Sequence, residues 1–327
     1  MRELGEKGIL RWLERYRPPV EREGDTGVGD DAAIIRIGGG RDLLLACDAV
    51  VEGVHFLREF FPPADVGWKA VATALSDIAA MGGEPLAFTV ALGLPEDLDF
   101  AWVEGFYAGI EALASDVGGY LAGGDTVRSP VLFADVTVTG SVETGRAVRR
   151  RGARPGDLVL VTGELGEAAV GLEDLKSGVD TAASLAQRRP RPLLREGRLI
   201  AASGATSMVD LSDGLAAGAG ALAVAGRVEV VLEAKNIPLG RSLRQPKPGR
   251  GGSHLLELAL YGGEDYQLLF TAPDWTAQTL AKTVQDETGT PVTVIGQVRA
   301  GGGAWLAVEG GEMSLDAGYD HFQRTEP

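Results

Sequence analysis

The first half of the chain alternates short apolar runs with segments in which apolar residues recur at helical spacing. Short apolar runs predict strands at 34–37, 43–46, 88–94 and 131–142. Helical spacing predicts an opening helix that ends at Pro18-Pro19, and two longer helices at 63–81 and 97–117. After the opening helix, the predicted order is therefore β-β-α-β-α-β, with a hairpin turn at Gly38-Gly39-Gly40.

The second half continues to alternate strands and helices. Strands are predicted at 157–161, 228–232, 267–271, 292–298 and 304–308, with another that ends near Asp210. Helices are predicted at 167–175, 192–202 and 255–261, with a further helix of small residues ending at Ala225. The stretch 241–254, rich in Gly, Pro and basic residues, predicts a surface loop.

The length of the chain indicates more than one domain. A chain of 327 residues exceeds the size that a single hydrophobic core usually supports. The character of the sequence changes at 143–155, where arginines follow one another closely. We therefore predict an α/β (α+β) protein of two domains, residues 1–143 and residues 144–327.

The net charge of −15 disfavours a surface for nucleic acid or for an anionic membrane, because both carry negative phosphates. The charge is concentrated in the first half. Residues 1–143 hold 24 acidic and 11 basic side chains, a net of −13, whereas residues 144–327 hold 22 and 20, a net of −2. This asymmetry predicts that the first domain attracts cations.

Cysteine content and hydropathy limit the remaining classes. With one cysteine, Cys47, the chain can form no intrachain disulfide and no Cys-rich zinc site. The sequence starts without an apolar core of the signal-peptide type, and no run of 18 apolar residues follows. We therefore expect a soluble cytoplasmic protein.

Six aspartates stand at the ends of apolar elements, next to glycine or other small residues. They are Asp31, Asp48, Asp77, Asp125, Asp210 and Asp213. If those ends meet, the carboxylates form an oxygen-only ligand set, which suits a hard cation and Mg²⁺ in particular. The alternative is that each aspartate is an ordinary cap or turn residue.

Two of these positions favour the cation. Asp31 follows Asp30, and adjacent carboxylates repel each other unless a cation or a donor lies between them. Asp77 lies in the last turn of the predicted helix 63–81, where the helix dipole disfavours a carboxylate. Of the adjacent pair, we expect Asp31 to be the metal ligand and Asp30 to shape the turn.

Common nucleotide-binding and nucleophile motifs are absent from the sequence. There is no G-x-x-x-x-G-K-[ST] loop, no G-x-G-x-x-G after a strand and no G-x-S-x-G. This disfavours P-loop, Rossmann and serine-hydrolase chemistry. The arginines between 146 and 154 are either a solvated connector or, at a domain boundary, a phosphate-binding segment.

Eight short motifs are spread from near the start of the chain to its last residues. They are Gly29-Asp30-Asp31-Ala32, Asp48 with Glu52-Gly53-Val54-His55-Phe56, Ser76-Asp77-Ile78-Ala79-Ala80-Met81-Gly82, Gly123-Gly124-Asp125-Thr126, Arg150 ahead of Gly152-Ala153-Arg154-Pro155-Gly156-Asp157, Asp210-Leu211-Ser212-Asp213-Gly214-Leu215, Gly262-Gly263-Glu264-Asp265-Tyr266 and Tyr319-Asp320-His321-Phe322. In this order they resemble the thiamine-monophosphate kinase family. The stretches EGVHF, SDIAAMG and GGEDYQLLF separate this family from aminoimidazole-ribotide synthetase and selenophosphate synthetase in the same superfamily.

The resemblance implies an ATP-dependent phosphorylation of thiamine monophosphate to thiamine diphosphate on a two-domain PurM-like fold. It implies a homodimer in which the first domains pair into a β-barrel, and it makes the six aspartates ligands of several Mg²⁺ ions. It implies ATP contacts from Tyr107, Gly124, Asp125, Arg150 and Ser212, and thiamine monophosphate contacts from His55, Glu264 and Tyr319. The acceptor phosphate is already ionised near neutral pH, so we assign no catalytic base and expect direct in-line transfer.

One departure from the family pattern concerns a metal site. The family usually has two hydroxyl residues directly before the aspartate aligned with Asp48, whereas this chain has Ala46 and Cys47. Coordination by the side chain at position 46 is therefore impossible, although backbone carbonyls remain available.

Two other functions stay open at this stage. A related ATP-dependent enzyme of the superfamily would share the aspartates but differ at His55, Glu264 and the C-terminal motif. A non-enzymatic acidic cation-binding protein would bind metal without nucleotide. For His55, Glu264 and Tyr319 the alternatives are a structural histidine, a turn residue and a packed C-terminal aromatic side chain.

Overall fold

The structure is a computed structural model that describes residues 8, 9, 12, 13, 26–244 and 252–315. The predicted opening helix lies mostly outside the described residues, and Tyr319 lies outside them altogether. Within the described ranges, no helix is both long and apolar enough to cross a membrane.

The first half forms a five-stranded sheet and two helices. The strands are β1 Ala33–Gly38, β2 Arg41–Val51, β3 Glu84–Leu94, β4 Leu121–Arg128 and β5 Phe133–Glu143, and the helices are α1 Pro63–Ala80 and α2 Phe100–Val117. The sheet order is β1-β2-β5-β3-β4, in which the β3–β4 pair is parallel and the other pairs are antiparallel. Helix α2 supplies the crossover that joins the parallel pair.

Helix α1 is the central element of this half. It packs on strands β2, β3 and β5 and is crossed closely by α2. Glycines make the crossing possible, because a Cβ atom at Gly109 would lie 1.9 Å from the carbonyl oxygen of Ala64 and one at Gly67 would lie 1.9 Å from that of Phe106. The sheet face opposite α1 is only half-buried at Leu43 and Leu45.

The second half forms a seven-stranded sheet with helices on both faces. Its strands are β6 Asp157–Thr162, β7 Ser207–Asp210, β8 Glu229–Glu233, β9 Leu268–Pro273, β10 Val292–Arg299, β11 Gly303–Val308 and β12 Gly311–Ser314. Its helices are α3 Glu167–Lys176, α4 Ala182–Arg188, α5 Leu194–Ala202, α6 Leu215–Gly226, α7 Gly252–Tyr261 and α8 Asp274–Thr288. The sheet order is β12-β11-β8-β10-β6-β9-β7, and only β8–β11 is parallel.

The hydrophobic core joins the two halves. The larger cluster of buried side chains includes Ile78 of α1 and Val136 of β5 together with Met208 and Phe270 of the second sheet. A smaller cluster fills the other face of the second sheet, where Val209 and Leu269 pack with helices α6 and α7. The halves are therefore docked through apolar contact, and the predicted boundary at residue 143 stays a prediction.

Most predicted elements are confirmed within a few residues, but some strands and helices were missed. Strand β4 was not assigned because Gly123 and Gly124 interrupt it and all its residues are exposed. Helix α4 was missed because it has only seven residues and few of them are large and apolar. Helix α8 was missed because most of its residues are polar. The predicted loop 241–254 is wrong at its end, where helix α7 already begins at Gly252.

Candidate active site

Three of the predicted metal ligands converge at the junction of the two halves. One carboxylate oxygen each from Asp31, Asp77 and Asp210 lies within 4.8 Å of the other two. Asp31 precedes β1, Asp77 lies in the last turn of α1, and Asp210 ends β7. The hydroxyl of Ser76 donates a 2.7 Å hydrogen bond to Oδ2 of Asp210 and so joins α1 to the second sheet at this point.

The adjacent residues Asp30 and Asp31 bond different parts of Arg150. The side chain of Arg150 donates to Oδ1 of Asp31 from Nη2 at 2.7 Å and from Nε at 3.2 Å. Asp30 instead accepts a 2.8 Å hydrogen bond from the backbone N–H of Arg150. Asp30 therefore holds the turn against the interdomain segment, while Asp31 points into the cluster.

Burial and mutual repulsion raise the pKa values of these carboxyls. Burial and then the charge of Asp31 raise the pKa of Asp210 to about 7. Burial, followed by the charges of Asp210 and Asp31, raises the pKa of Asp77 well above its usual range. Burial also raises the pKa of Asp31, although Arg150 opposes the rise. Without a cation, the cluster therefore favours bound protons over full ionisation.

The cluster fits a hard cation. Oδ2 of Asp31 is buried and accepts no hydrogen bond from any part of the chain that the structure describes. Such an oxygen is costly to bury unless something positive binds it. Three carboxylates without Cys or His match the oxygen preference of Mg²⁺, which completes its shell with water and phosphate oxygens. The residues present are thus suited to Mg²⁺.

The other three aspartates lie outside this close group. Asp48 is on the α1-facing side of β2, and its charge contributes to the raised pKa values of Asp77 and Asp210, which places it beside the cluster. Asp213 is exposed in the loop after β7. The ligand roles of all six remain predictions.

Asp125 lies farther away, on the exposed edge strand β4. Sheet register relates Asp48 to Val136, Val136 to Val90, and Val90 to Gly124, the neighbour of Asp125. Three strand spacings separate these positions, or about 14 Å. Within one chain, Asp125 is therefore outside the Asp31, Asp77 and Asp210 group, because β4 is an outer strand of the sheet. The sequence alone does not reveal the position of β4 in the sheet.

Gly124 and Tyr107, two predicted ATP contacts, lie on strand β4 and on helix α2. A Cβ atom at Gly124 would lie 2.0 Å from the carbonyl oxygen of Val90, so the close pairing of β4 with β3 requires glycine. Tyr107 of α2 lines a groove of about 470 Å³ together with Tyr120 and Ile110. The groove adjoins the start of β4, and Gly124 and Asp125 follow further along the same strand.

The predicted acceptor contacts His55 and Glu264 are linked through a residue that the sequence analysis missed. Lys69 of α1 is 1% exposed, and its Nζ lies 2.6 Å from Oε1 of Glu264 and 3.3 Å from the backbone oxygen of His55. Gln187 of α4 donates to Oε2 of Glu264. No motif flagged Lys69, because a lysine on a predicted amphipathic helix is ordinarily solvent-exposed.

The backbone around Glu264 is strained. Glu264 and Tyr266 have φ values of +60° and +48°, in the left-handed region that side chains other than glycine rarely adopt. The backbone N–H of Glu264 donates a 2.6 Å hydrogen bond to the carbonyl of Ser212, which holds this loop against the Asp210–Asp213 segment. Strain of this kind costs about 1–2 kcal/mol per residue and is found at binding sites.

Cys47 and Ala46 lie on opposite sides of β2. Ala46 is 8% exposed and packs in the core, whereas Cys47 is exposed and donates from Sγ to the carboxylate of Asp135 at 3.3 Å. Neither side chain therefore supplies an oxygen ligand.

Two family models match the chain. The N-terminal domain of AIR synthase related protein matches residues 29–142, and the C-terminal domain of the same class matches residues 154–308. The fold and the carboxylate junction thus define a two-domain, PurM-like AIR synthase related protein.

Similarity to full-length relatives identifies the family within this class. The chain is 36% identical to thiamine-monophosphate kinase of Synechococcus elongatus, over 98% of this chain and 97% of the relative, and 37% identical to that of Escherichia coli K12, over 96% and 97%. A solved structure of AaThiL complexed with AMPPCP and TMP covers 98% of both chains, with 34% identity and a TM-score of 0.84. The chain belongs to the thiamine-monophosphate kinase family.

Proposed function

We propose that the protein transfers the terminal phosphoryl group of ATP to thiamine monophosphate and releases thiamine diphosphate and ADP. The observation that carries this proposal is the junction of Asp31, Asp77 and Asp210, where carboxylates of both halves meet beside Arg150. Full-length similarity to thiamine-monophosphate kinases and to a complex with AMPPCP and TMP supports the substrate pair.

The carboxylates would hold several Mg²⁺ ions, with Asp31, Asp77 and Asp210 as the central ligands and Asp48 and Asp213 beside them. Asp125, on strand β4, would hold an ion farther from this group. Bound Mg²⁺ neutralises charge on the phosphates as it develops during transfer. Arg150, which is 31% exposed in its side chain, can add a hydrogen bond to a phosphate oxygen while it stays paired with Asp31.

The nucleotide would lie along β4. Tyr107 in the groove offers a face for the base, and Gly124 and Asp125 further along the strand lie where the phosphates would follow. The carbonyl of Ser212 accepts the hydrogen bond from the N–H of Glu264, and the side chain of Ser212 would contact ATP next to the acceptor site.

The acceptor would be bound by His55, Glu264 and Tyr319. The backbone N–H of Val51 donates to Nδ1 of His55 at 3.0 Å, so the neutral ring carries its proton on Nε2 and can donate from there to an oxygen of the acceptor. Transfer is direct and in-line, without a general base, since the attacking phosphate oxygen is already ionised.

We also propose a homodimer in which the first halves pair into a β-barrel. Strand β4 is exposed throughout, with Leu121 and Val127 more than 40% exposed, and the sheet face opposite α1 is only half-buried. An exposed edge and an uncovered apolar face are covered when a second chain pairs with them. The cytoplasmic location predicted from the sequence stays part of this proposal.

The test is ADP formation from Mg-ATP with thiamine monophosphate, run beside thiamine and phosphate-bearing acceptors of the aminoimidazole pathway. Thiamine diphosphate should form, and only from thiamine monophosphate. A matched variant, Arg198→Met, removes an exposed interdomain ion pair with Glu84 and should leave the rate unchanged. Product formation from another acceptor alone would refute the proposed substrate, and metal uptake without nucleotide turnover would refute the kinase.

A further inference from the structure

Lys69 is a buried cation whose position the proposed reaction does not explain. Its side chain is 1% exposed, in the middle of α1. A lysine is almost never buried in this way without a partner, because removing an ammonium from water costs several kcal/mol. Its surroundings are a carboxylate at 2.6 Å, a backbone carbonyl at 3.3 Å and the ring of Phe61, whose centroid lies 5.3 Å away.

The carboxylate is that of Glu264, and it is held on both of its oxygens. Lys69 binds Oε1, and Gln187 donates to Oε2. The backbone of Glu264 is fixed as well, through its hydrogen bond to Ser212 and its left-handed conformation. The orientation of the carboxylate plane is therefore determined before any ligand arrives, and 24% of the side chain remains exposed.

The carbonyl that Lys69 binds belongs to His55. The ring of this residue is fixed separately by the N–H of Val51, which donates to Nδ1. Lys69 thus connects the loop after β2 in the first half with the loop before β9 in the second half. One ammonium group therefore contacts both His55 and Glu264, the two described residues that are proposed to bind the acceptor.

The charge of the pair matters for recognition. Lys69 compensates the negative charge of Glu264, so this part of the site is neutral overall. Glu264 then binds as an oriented hydrogen-bond acceptor, which suits an amino group of the acceptor, rather than as an isolated counter-ion for a cationic ring.

We propose that Lys69 is a positioning residue for the acceptor: it holds the carboxylate of Glu264 in one orientation and sets its distance from His55. The inference rests on the proposed function, because it takes thiamine monophosphate as the acceptor. Lys69 touches no reacting atom, so its loss should weaken the binding of the acceptor far more than the binding of the nucleotide.

The test compares wild type with Lys69→Met, which keeps the length of the side chain and removes its charge. Calorimetric titration should give about tenfold weaker binding of thiamine monophosphate, the effect of losing one hydrogen bond to a charged group. The Kd of Mg-ATP should change less than about twofold, and Lys69→Arg should recover part of the acceptor affinity. Arg198→Met, at another interdomain ion pair, is the matched control and should change neither Kd.

A purely structural role predicts a different outcome. Lys69→Met would then lower the melting temperature and weaken the binding of both ligands together. The double variant Lys69→Met/Glu264→Gln, which removes the carboxylate charge that has lost its cation, would restore the melting temperature and both affinities. That result, or an unchanged Kd for thiamine monophosphate, overturns the inference. Wild type that binds thiamine monophosphate without forming product refutes the proposed function alone, and wild type that does not bind it refutes both.

Discussion

Replacing one carboxylate of the junction should stabilise the protein when no divalent cation is present. The oxygens of Asp31, Asp77 and Asp210 lie within 4.8 Å of one another, and Arg150 pairs only with Asp31 among them. At an effective dielectric constant of about 20, two charges at that distance repel by about 3.5 kcal/mol. Asp77→Asn removes one charge and keeps the shape of the side chain.

Part of the repulsion is already relieved by proton binding, so we expect a net gain of about 1–2 kcal/mol, or roughly 1.5–3 °C in melting temperature. The measurement is thermal unfolding in EDTA at pH 8, above the pKa of about 7 that burial gives Asp210. In millimolar Mg²⁺ wild type should have the higher melting temperature, because the ion stabilises the native state by mass action and the variant binds it less well.

The matched control is Asp157→Asn. Asp157 is also buried, but it accepts hydrogen bonds from the backbone N–H of Arg154 at 2.9 Å and from the hydroxyl of Thr206 at 2.7 Å. Its replacement should lower the melting temperature equally with and without Mg²⁺. If Asp77→Asn behaves like this control, and Mg²⁺ does not move the melting temperature of wild type, the carboxylates are structural and the cation-site reasoning fails.

Three further outcomes test other parts of the structure. Asp48→Asn or Asp125→Asn should lower turnover by orders of magnitude with little change in melting temperature, and near-normal turnover of both would contradict their ligand roles. Burial raises the pKa of Asp265 to about 7, so the native state holds this proton more tightly than the unfolded chain, and stability is lost as pH rises from about 4 to 7. Urea unfolding of Asp265→Asn across that range should therefore show a flatter dependence on pH than wild type, and an equal slope would contradict the assignment. Gly109→Ala should destabilise by about 1–3 kcal/mol or more, because the new Cβ would meet the carbonyl of Ala64, whereas an unchanged melting temperature would contradict the close helix crossing.

The sequence predicted the helices and strands better than it predicted the tertiary contacts between them. Helix α1 and the β1–β2 hairpin were recognisable because their periods and turn residues are strong. Strand β4 was not, because glycines and full exposure remove the alternating pattern on which such predictions depend.

For the candidate site, the sequence singled out six aspartates as candidates but could not show which of them lie together. Asp31, Asp77 and Asp210 converge because the α1 end and the β7 end are docked through a shared core, which is a long-range property. Lys69 could not be recognised, since its burial depends on Glu264, nearly 200 residues away. Local patterns record a residue's neighbours in the chain, whereas a site depends on its neighbours in space.

Helix α1 carries Lys69 near its middle and Asp77 in its last turn. Eight residues of α-helix span about 12 Å and are stiff over that length. Under the proposed function, the helix fixes the distance between Lys69, which positions the ring end of the acceptor, and Asp77, which lies near the transferred phosphate. Acceptors are then selected by length: a molecule whose phosphate lies much nearer to its ring system than in thiamine monophosphate engages one end of the helix but not both.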